Sequence, residues 1–255
     1  MLRRLLLAAV AAPVVFCAVA SAQSLDDIVS KHVAAMGGLD KIKAVKTIRQ
    51  TGKATVGPGI VAPVTLSMAR PNAFRMELSI QGKTLIQATD GSTAWMMNPF
   101  AGATAPEKMS ADDAKELNEM ADIDGALVDW KAKGHTVEFI GKEDFEGTEV
   151  LKLKVVLKSG ETKYTYLDAS TFLVLKETGK RKREGAELDV ETVFGDYKTV
   201  EGLTMPFSIE AKAGGQTQFQ MTMDKIELNP TLDPAVFTMP AAAAPAVAPA
   251  KTPGL

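Results

Sequence analysis

The chain has few of the residues that covalent and metal chemistry draws on: its 255 residues include one cysteine and two histidines. Cys17 falls inside an apolar N-terminal stretch, so the rest of the chain has no disulfide, thiolate nucleophile or zinc–thiolate site, and a hydrophobic core must hold it together. His32 and His135 stand apart in sequence, each without a second His or Cys at ligand spacing. That argues against a metal centre, and both are expected to be partly exposed polar residues. No Gly-x-Ser-x-Gly elbow occurs, and Gly82-Lys83-Thr84 lacks the upstream glycine of a phosphate loop. Asp112, Asp113, Glu116 and Glu119 cluster at a helix start, where capping and the helix dipole explain them better than an acid/base pair does. The expectation is a protein that is not an enzyme, with no catalytic residue, no metal and no cofactor.

An excess of positive charge is missing too. Lys and Arg number 29 against 31 Asp and Glu. This balance argues against nucleic acid as a partner, because phosphate neutralisation needs a basic face. Nor is there an apolar run long enough to span a bilayer. The run from Leu5 to Val19 contains Pro13 and falls short of the roughly 20 residues a spanning helix needs. Arg3 and Arg4 precede it and Ala20-Ser21-Ala22 follows, which reads as a signal peptide cleaved after Ala22. A lipid-anchored start at Cys17 is disfavoured by Phe16, where a small residue is wanted. At the other end, residues 240–255 are almost entirely Ala and Pro and should form a flexible tail that adds nothing to stability. A single domain, residues 23–239, lies between.

What is present is mostly alternation. Ser24-Leu25-Asp26-Asp27 has the capping-box form and opens a helix that Gly37-Gly38 ends; a short helical piece from Leu39 to Val45 follows. From Lys46 the period becomes two: Val64, Leu66 and Met68 alternate with Thr65, Ser67 and Ala69, and Phe74, Met76, Leu78 and Ile80 with Arg75, Glu77, Ser79 and Gln81. Gly57-Pro58-Gly59, Arg70-Pro71-Asn72, Gln81-Gly82 and Asp90-Gly91 mark turns. Ser110-Ala111-Asp112-Asp113 repeats the capping form, and Ile123, Leu127, Val128 and Trp130 predict a further helical turn or two before Gly134. Strands then resume to Leu228. The pattern predicts a mainly β fold with short helices, its roughly eleven strands forming one antiparallel meander. The dense basic run Lys180-Arg181-Lys182-Arg183 is expected at a solvated hairpin tip between strands. Eleven methionines outside the leader suit an adaptable apolar lining, though a plain core explains many of them equally well.

Several motifs, in order and closely spaced, carry a resemblance. Arg70-Pro71-Asn72-x-Phe74, Asp90-Gly91-x-Thr93-x-Trp95, Asn98-Pro99-Phe100 and Thr104 resemble the LolA-like periplasmic outer-membrane lipoprotein carriers. Tyr166-Leu167-Asp168-x-x-Thr171, Gly202-Leu203-x-Met205-Pro206-Phe207 and Asp233-Pro234-x-x-Phe237 look like later segments of the broader lipoprotein-sorting group. The resemblance implies an incomplete antiparallel β-barrel covered by a helical lid, in the periplasm, that shields the acyl chains of a lipid or lipoprotein. It also implies inner-membrane donor and outer-membrane acceptor proteins as partners. A monomer is expected. The runner-up is a module that senses lipid or lipoprotein and signals to a protein partner. The hollow is expected to be lined by Leu66, Met68, Phe74, Met76, Leu78, Trp95, Met97, Leu127 and Trp130. Counting by twos from Val64 turns Arg70 to the same inward face, an odd place for a charge without a partner. The resemblance implies that Arg70 holds the lid closed through hydrogen bonds to lid backbone.

Overall fold

The computed structural model describes residues 24–57, 59–183 and 186–241; the expected leader, and the Ala/Pro tail apart from its first two residues, lie outside them. Two short helices, α1 (Leu25–Ala35) and α2 (Leu39–Ala44), open the chain. Strands β1 (Thr47–Val56), β2 (Ile60–Ala69), β3 (Ala73–Ile80), β4 (Lys83–Thr89), β5 (Ala94–Met97) and β6 (Glu107–Lys108) follow. After helix α3 (Ala111–Met120) come β7 (Thr136–Phe145), β8 (Thr148–Val156), β9 (Thr162–Asp168), β10 (Val174–Arg183), β11 (Ala186–Val200), β12 (Leu203–Ala213) and β13 (Gln216–Leu228). Both capping boxes form: Ser24 accepts from the Asp27 amide and Ser110 from the Asp113 amide. Among the described residues no helix is long and apolar enough to cross a membrane.

All thirteen strands join one antiparallel sheet that does not close into a barrel, in the order β6-β5-β4-β3-β2-β1-β13-β12-β11-β10-β9-β8-β7. The expectation of about eleven strands in one meander needs correcting in its topology. The chain runs outward from β1 to one edge, crosses to the opposite edge at β7, and returns strand by strand until β13 pairs with β1. Residues 109–135, which contain α3, therefore connect the two edges of the open sheet. The helical turns predicted around Ile123 to Trp130 are instead a run of tight turns, with Gly125 and Asp129 at positive φ. The basic run is also displaced from a tip into a strand, because Lys180 and Arg181 pair with Asp189 and Leu188 along the β10–β11 ladder. The side chains of Lys182 and Arg183 lie outside the described set.

Period-two alternation gives the sheet one apolar concave face. Residues opposite each other across antiparallel strands share a face, so Val64, Leu66 and Met68 on β2 meet Leu78, Met76 and Phe74 on β3. One core cluster joins these to Ile42 of α2, Leu117 of α3, Leu203 and Phe207 of β12, and Met221 and Met223 of β13. A second joins Ile28 of α1 to Val137, Leu151, Leu153, Val155 and Leu167 on β7, β8 and β9. His32 belongs with this interior: it is 5% exposed and its Nδ1 lies 2.9 Å from the Phe172 carbonyl. The expectation that it is partly exposed is thus corrected, and burial holds its pKa below the ordinary value. His135 is half-buried and accepts a hydrogen bond from the Lys158 amide.

At the β1–β13 seam a register shift between Thr51 and Gly52 brings two backbones together. A Cβ on Gly52 would stand 2.1 Å from the Thr222 carbonyl oxygen and 2.8 Å from Met223 Cα. Neither atom is the free end of a flexible side chain, so the strands themselves must part. Gly52→Ala should cost about 1–3 kcal/mol, the range of overpacked cores, and lower the melting temperature by about 2–4 °C for each kcal/mol. Gly195→Ala is the control, since its nearest contact is Ser208 Cβ at 4.0 Å; equal melting of the two variants would contradict the close approach.

Candidate functional site

The hollow between the concave face and the crossing segment is the candidate site. Leu66, Phe74 and Leu78 are buried in its core cluster, with Met68 and Met76 half-buried against it. Trp95 and Met97 are not there. Trp95 pairs with Ala88, which pairs with Arg75, and Met97 pairs with Ile86, which pairs with Glu77; all lie on the face opposite Phe74 and Met76. The expected lining is corrected on both counts, and the reason is register: Met96 and Ala94 take the inward positions on β5. Leu127 and Trp130 do come from the crossing segment, but they pack on the second cluster beside Ile28 and Leu151 rather than with Leu66 and Phe74.

Arg70 follows β2 and points inward, where it organises the crossing segment. Its Nε donates to the Val45 carbonyl at 2.6 Å and its Nη2 to the Ile42 carbonyl at 3.1 Å. Its two Nη groups also grip the Asp124 carboxylate, Nη1 to Oδ2 at 3.0 Å and Nη2 to Oδ1. Lys43 Nζ adds a bond to Asp124 Oδ2 at 2.5 Å and an ion pair with Asp129 at 2.8 Å. Burial disfavours the Asp124 charge, but the bonds from Arg70 and Lys43 outweigh it and hold its pKa below the ordinary value. The backbone partners of Arg70 therefore sit at the end of α2 and just after it, while its partner in the crossing segment is a carboxylate. Asn72, the third residue of the same motif, donates to the Asn118 carbonyl of α3 at 3.1 Å, and Thr89 donates to the Asn118 side chain at 2.7 Å. The Arg70-Pro71-Asn72 turn thus holds both α3 and the loop after it.

Sequence reasoning missed Asp124. Its signal was an aspartate, one of three with Asp122 and Asp129, set among Ile123, Leu127 and Val128, a counter-charge for an inward arginine. Leu117, Ala121 and Val128 complete the attachment by burying apolar surface in the core cluster. In this closed arrangement the recess lined by Met36, Ile42, Val45, Ile48, Ile123, Leu203, Thr204 and Met205 measures about 40 Å³, against about 300–1,000 Å³ for a typical ligand pocket. A ligand the size of an acyl chain can enter there only if the cover moves. Among the described residues no group of three or more His, Cys, Asp or Glu side chains comes together to hold a metal.

An open, strongly bent antiparallel sheet whose two edges are joined by a segment crossing its apolar face defines the LolA-like half-barrel class, and this chain has that fold. Solved structures show the likeness directly. A domain described as belonging to an outer membrane lipoprotein-sorting protein of Vibrio parahaemolyticus superposes with a TM-score of 0.55 at 14% identity, covering 83% of this chain and 94% of that one. A LolA superfamily protein from Nitrosomonas europaea gives 0.54 at 11% identity over 84% and 96%. A DUF1329 family protein from Desulfovibrio piger gives 0.57 at 10% over 84% and 96%. At the level of sequence, no protein-family model and no curated protein matches the chain.

Proposed function

We propose that the protein is a periplasmic carrier, acting as a monomer, that shields the acyl chains of a lipid or lipoprotein in the hollow between sheet and cover. In this reading it takes its cargo from an inner-membrane donor and passes it towards an outer-membrane acceptor. The observation that carries the reading is the pairing of an apolar concave face with a cover pinned by polar bonds at Arg70 and Asn72. Polar bonds are directional and exchange readily for water, so the cover can lift without unfolding the sheet. The half-barrel likeness to a domain described as lipoprotein-sorting supports the reading. The energetics favour a carrier as well: each methylene buried is worth about 0.8 kcal/mol, so a chain of a dozen costs about 10 kcal/mol to leave in water. No covalent chemistry is needed.

Native mass spectrometry of protein taken from the periplasm, followed by transfer of a fluorescent diacylated peptide to acceptor vesicles, tests this. A carrier comes away with lipid bound and speeds transfer. Protein that emerges free of lipid, gives no transfer and holds a stoichiometric protein partner would favour the sensing module instead.

A further inference from the structure

Three neighbouring hairpins, β1–β2, β3–β4 and β12–β13, turn at one rim in the middle of the sheet, since β4, β3, β2, β1, β13 and β12 lie side by side. Arg70 follows the other end of β2, so the rim and the polar fastening of the cover stand about 30 Å apart along that strand. At the rim Val56 pairs with both Ile60 and Phe219, and cross-strand partners share a face. The three therefore form a row on the concave side. Val56 and Phe219 are half-buried against the core cluster, as are Ile80 and Leu85 of the next hairpin, but Ile60 is 47% exposed. Val61, on the outer side of the same tip, is 61% exposed. The apolar lining thus runs out of the hollow and onto the tip.

Nothing in the fold requires aliphatic side chains there. Hairpin tips are ordinarily polar, and side chains this exposed add little to the core. Among the described residues Ile60 and Val61 are the only exposed large apolar pair adjacent in sequence. The charges around them are of one sign. Residues 51–64, 79–86 and 211–222 contain Lys53, Lys83 and Lys212 and no Asp or Glu, in a chain with 31 acids. Lys212 is paired with Glu191 at 3.0 Å, and the nearby Glu210 accepts from Thr217 at 2.6 Å. Lys53 and Lys83 are exposed and form no ion pair among the described residues. The same segments hold no Trp, Tyr or Arg, the residues that anchor protein interfaces. A narrow aliphatic tip flanked by unneutralised lysines matches the layering of a membrane surface, where acyl chains lie beneath phosphates.

We propose that this rim docks the protein on an anionic bilayer: Ile60 and Val61 enter the acyl layer while Lys53 and Lys83 stay among the headgroup phosphates. Docking this way turns the mouth of the hollow towards the leaflet. An acyl chain leaving the bilayer then meets Ile60, Val56 and Phe219 in turn and reaches the core cluster without crossing water. That route rests on the carrier reading; the docking itself does not.

Co-sedimentation of the exported, lipid-free protein with vesicles of phosphatidylethanolamine and phosphatidylglycerol, and with phosphatidylcholine vesicles for comparison, provides the test. The wild type should bind the anionic vesicles more tightly. Ile60→Ser/Val61→Ser should weaken that binding about tenfold or more, with the melting temperature kept, because both side chains are largely in water already. Lys53→Gln and Lys83→Gln should each weaken it about fivefold. Ile140→Ser, at a site 46% exposed on β7, should bind as the wild type does. Absence of wild-type binding, equal binding to both kinds of vesicle, or full binding by Ile60→Ser/Val61→Ser would overturn the proposal. A rim variant that keeps vesicle binding but no longer holds a stoichiometric protein partner would overturn it too, and would assign the rim to that partner. Because the sedimented protein carries no cargo, failure here is separate from failure of the carrier reading, which native mass spectrometry registers as lipid bound in the wild type.

Discussion

Replacing Arg70 with leucine should release the cover and leave the sheet standing. The change removes a charged donor fork from Asp124, which is 3% exposed, and leaves that carboxylate with Lys43 alone. Hydrogen bonds to a charged group are worth about 1.5–3 kcal/mol, so the equilibrium for lifting the cover should shift by about 10- to 100-fold. The full penalty of a broken buried ion pair does not apply, because the arginine side chain is 28% exposed and Lys43 remains in place. Global stability cannot fall by more than the free energy of lifting the cover, since the lifted form becomes the ground state once that gap closes. Protection factors in residues 111–130 should accordingly drop at least tenfold, those in β8 and β9 should hold, and bound lipid should exchange faster by a similar factor. Asp124→Asn should behave alike, and the double variant should cost little more than either single one, because both changes break one network. Additive losses, or protection lost equally across the whole sheet, would show that Arg70 is simply part of the core.

The sheet was legible because its signal is local: alternation over six to eight residues and a Gly- or Asn-containing turn between runs set each hairpin independently. Where the chain crosses from β6 to β7 no local signal exists, since pairing β1 with β13 is decided by two sequences some 170 residues apart. The site divides in the same way. Leu66, Phe74, Leu78 and the inward Arg70 follow from counting by twos along β2 and β3. On β5 the strand is four residues long and alanine takes an inward position, so the large Trp95 and Met97 mark the outer face. A tryptophan on an outer face needs a cover of its own, and that cover comes from residues 229–241, more than 130 positions away in sequence. Asp124 escaped notice because its meaning depends on the groups across from it: a carboxylate in a loop becomes a fastening only beside Arg70 and Lys43.

Cutting the chain after Leu228 should destabilise it severely, while cutting after Ala241 should change nothing. The segment beyond β13 is strapped across the outer face of the sheet. Asn229 exchanges bonds with the Lys46 amide at 2.7 Å and the Thr47 carbonyl at 2.8 Å. Asp233 then caps a 3-10 turn at Pro234–Val236. Beyond that turn the strap is fixed to β3 and β5: Arg75 Nη1 donates to the Val236 carbonyl at 2.7 Å and Trp95 Nε1 to the Phe237 carbonyl at 2.8 Å. Trp95 is 1% and Phe237 2% exposed, so the strap carries a large aromatic burial. Arg75 also lies over the Trp95 ring, 5.7 Å from its centroid. Losing an aromatic side chain from such a site costs about 3–5 kcal/mol. The melting temperature should therefore fall by about 10 °C, at about 2–4 °C per kcal/mol for a chain of this size. Phe237→Ala should reproduce most of that loss with the strap's backbone bonds intact. Tryptophan emission should shift red in the Leu228 truncation as Trp95 meets water, and stay unchanged in the Ala241 truncation, whose missing Ala- and Pro-rich residues can bury little area. A Leu228 truncation that melts within a degree or two of the full chain, with unshifted emission, would mean the strap is ornamental. The expected loss instead makes it the brace that lets β1–β5 keep their curvature when the cover on the other face is lifted.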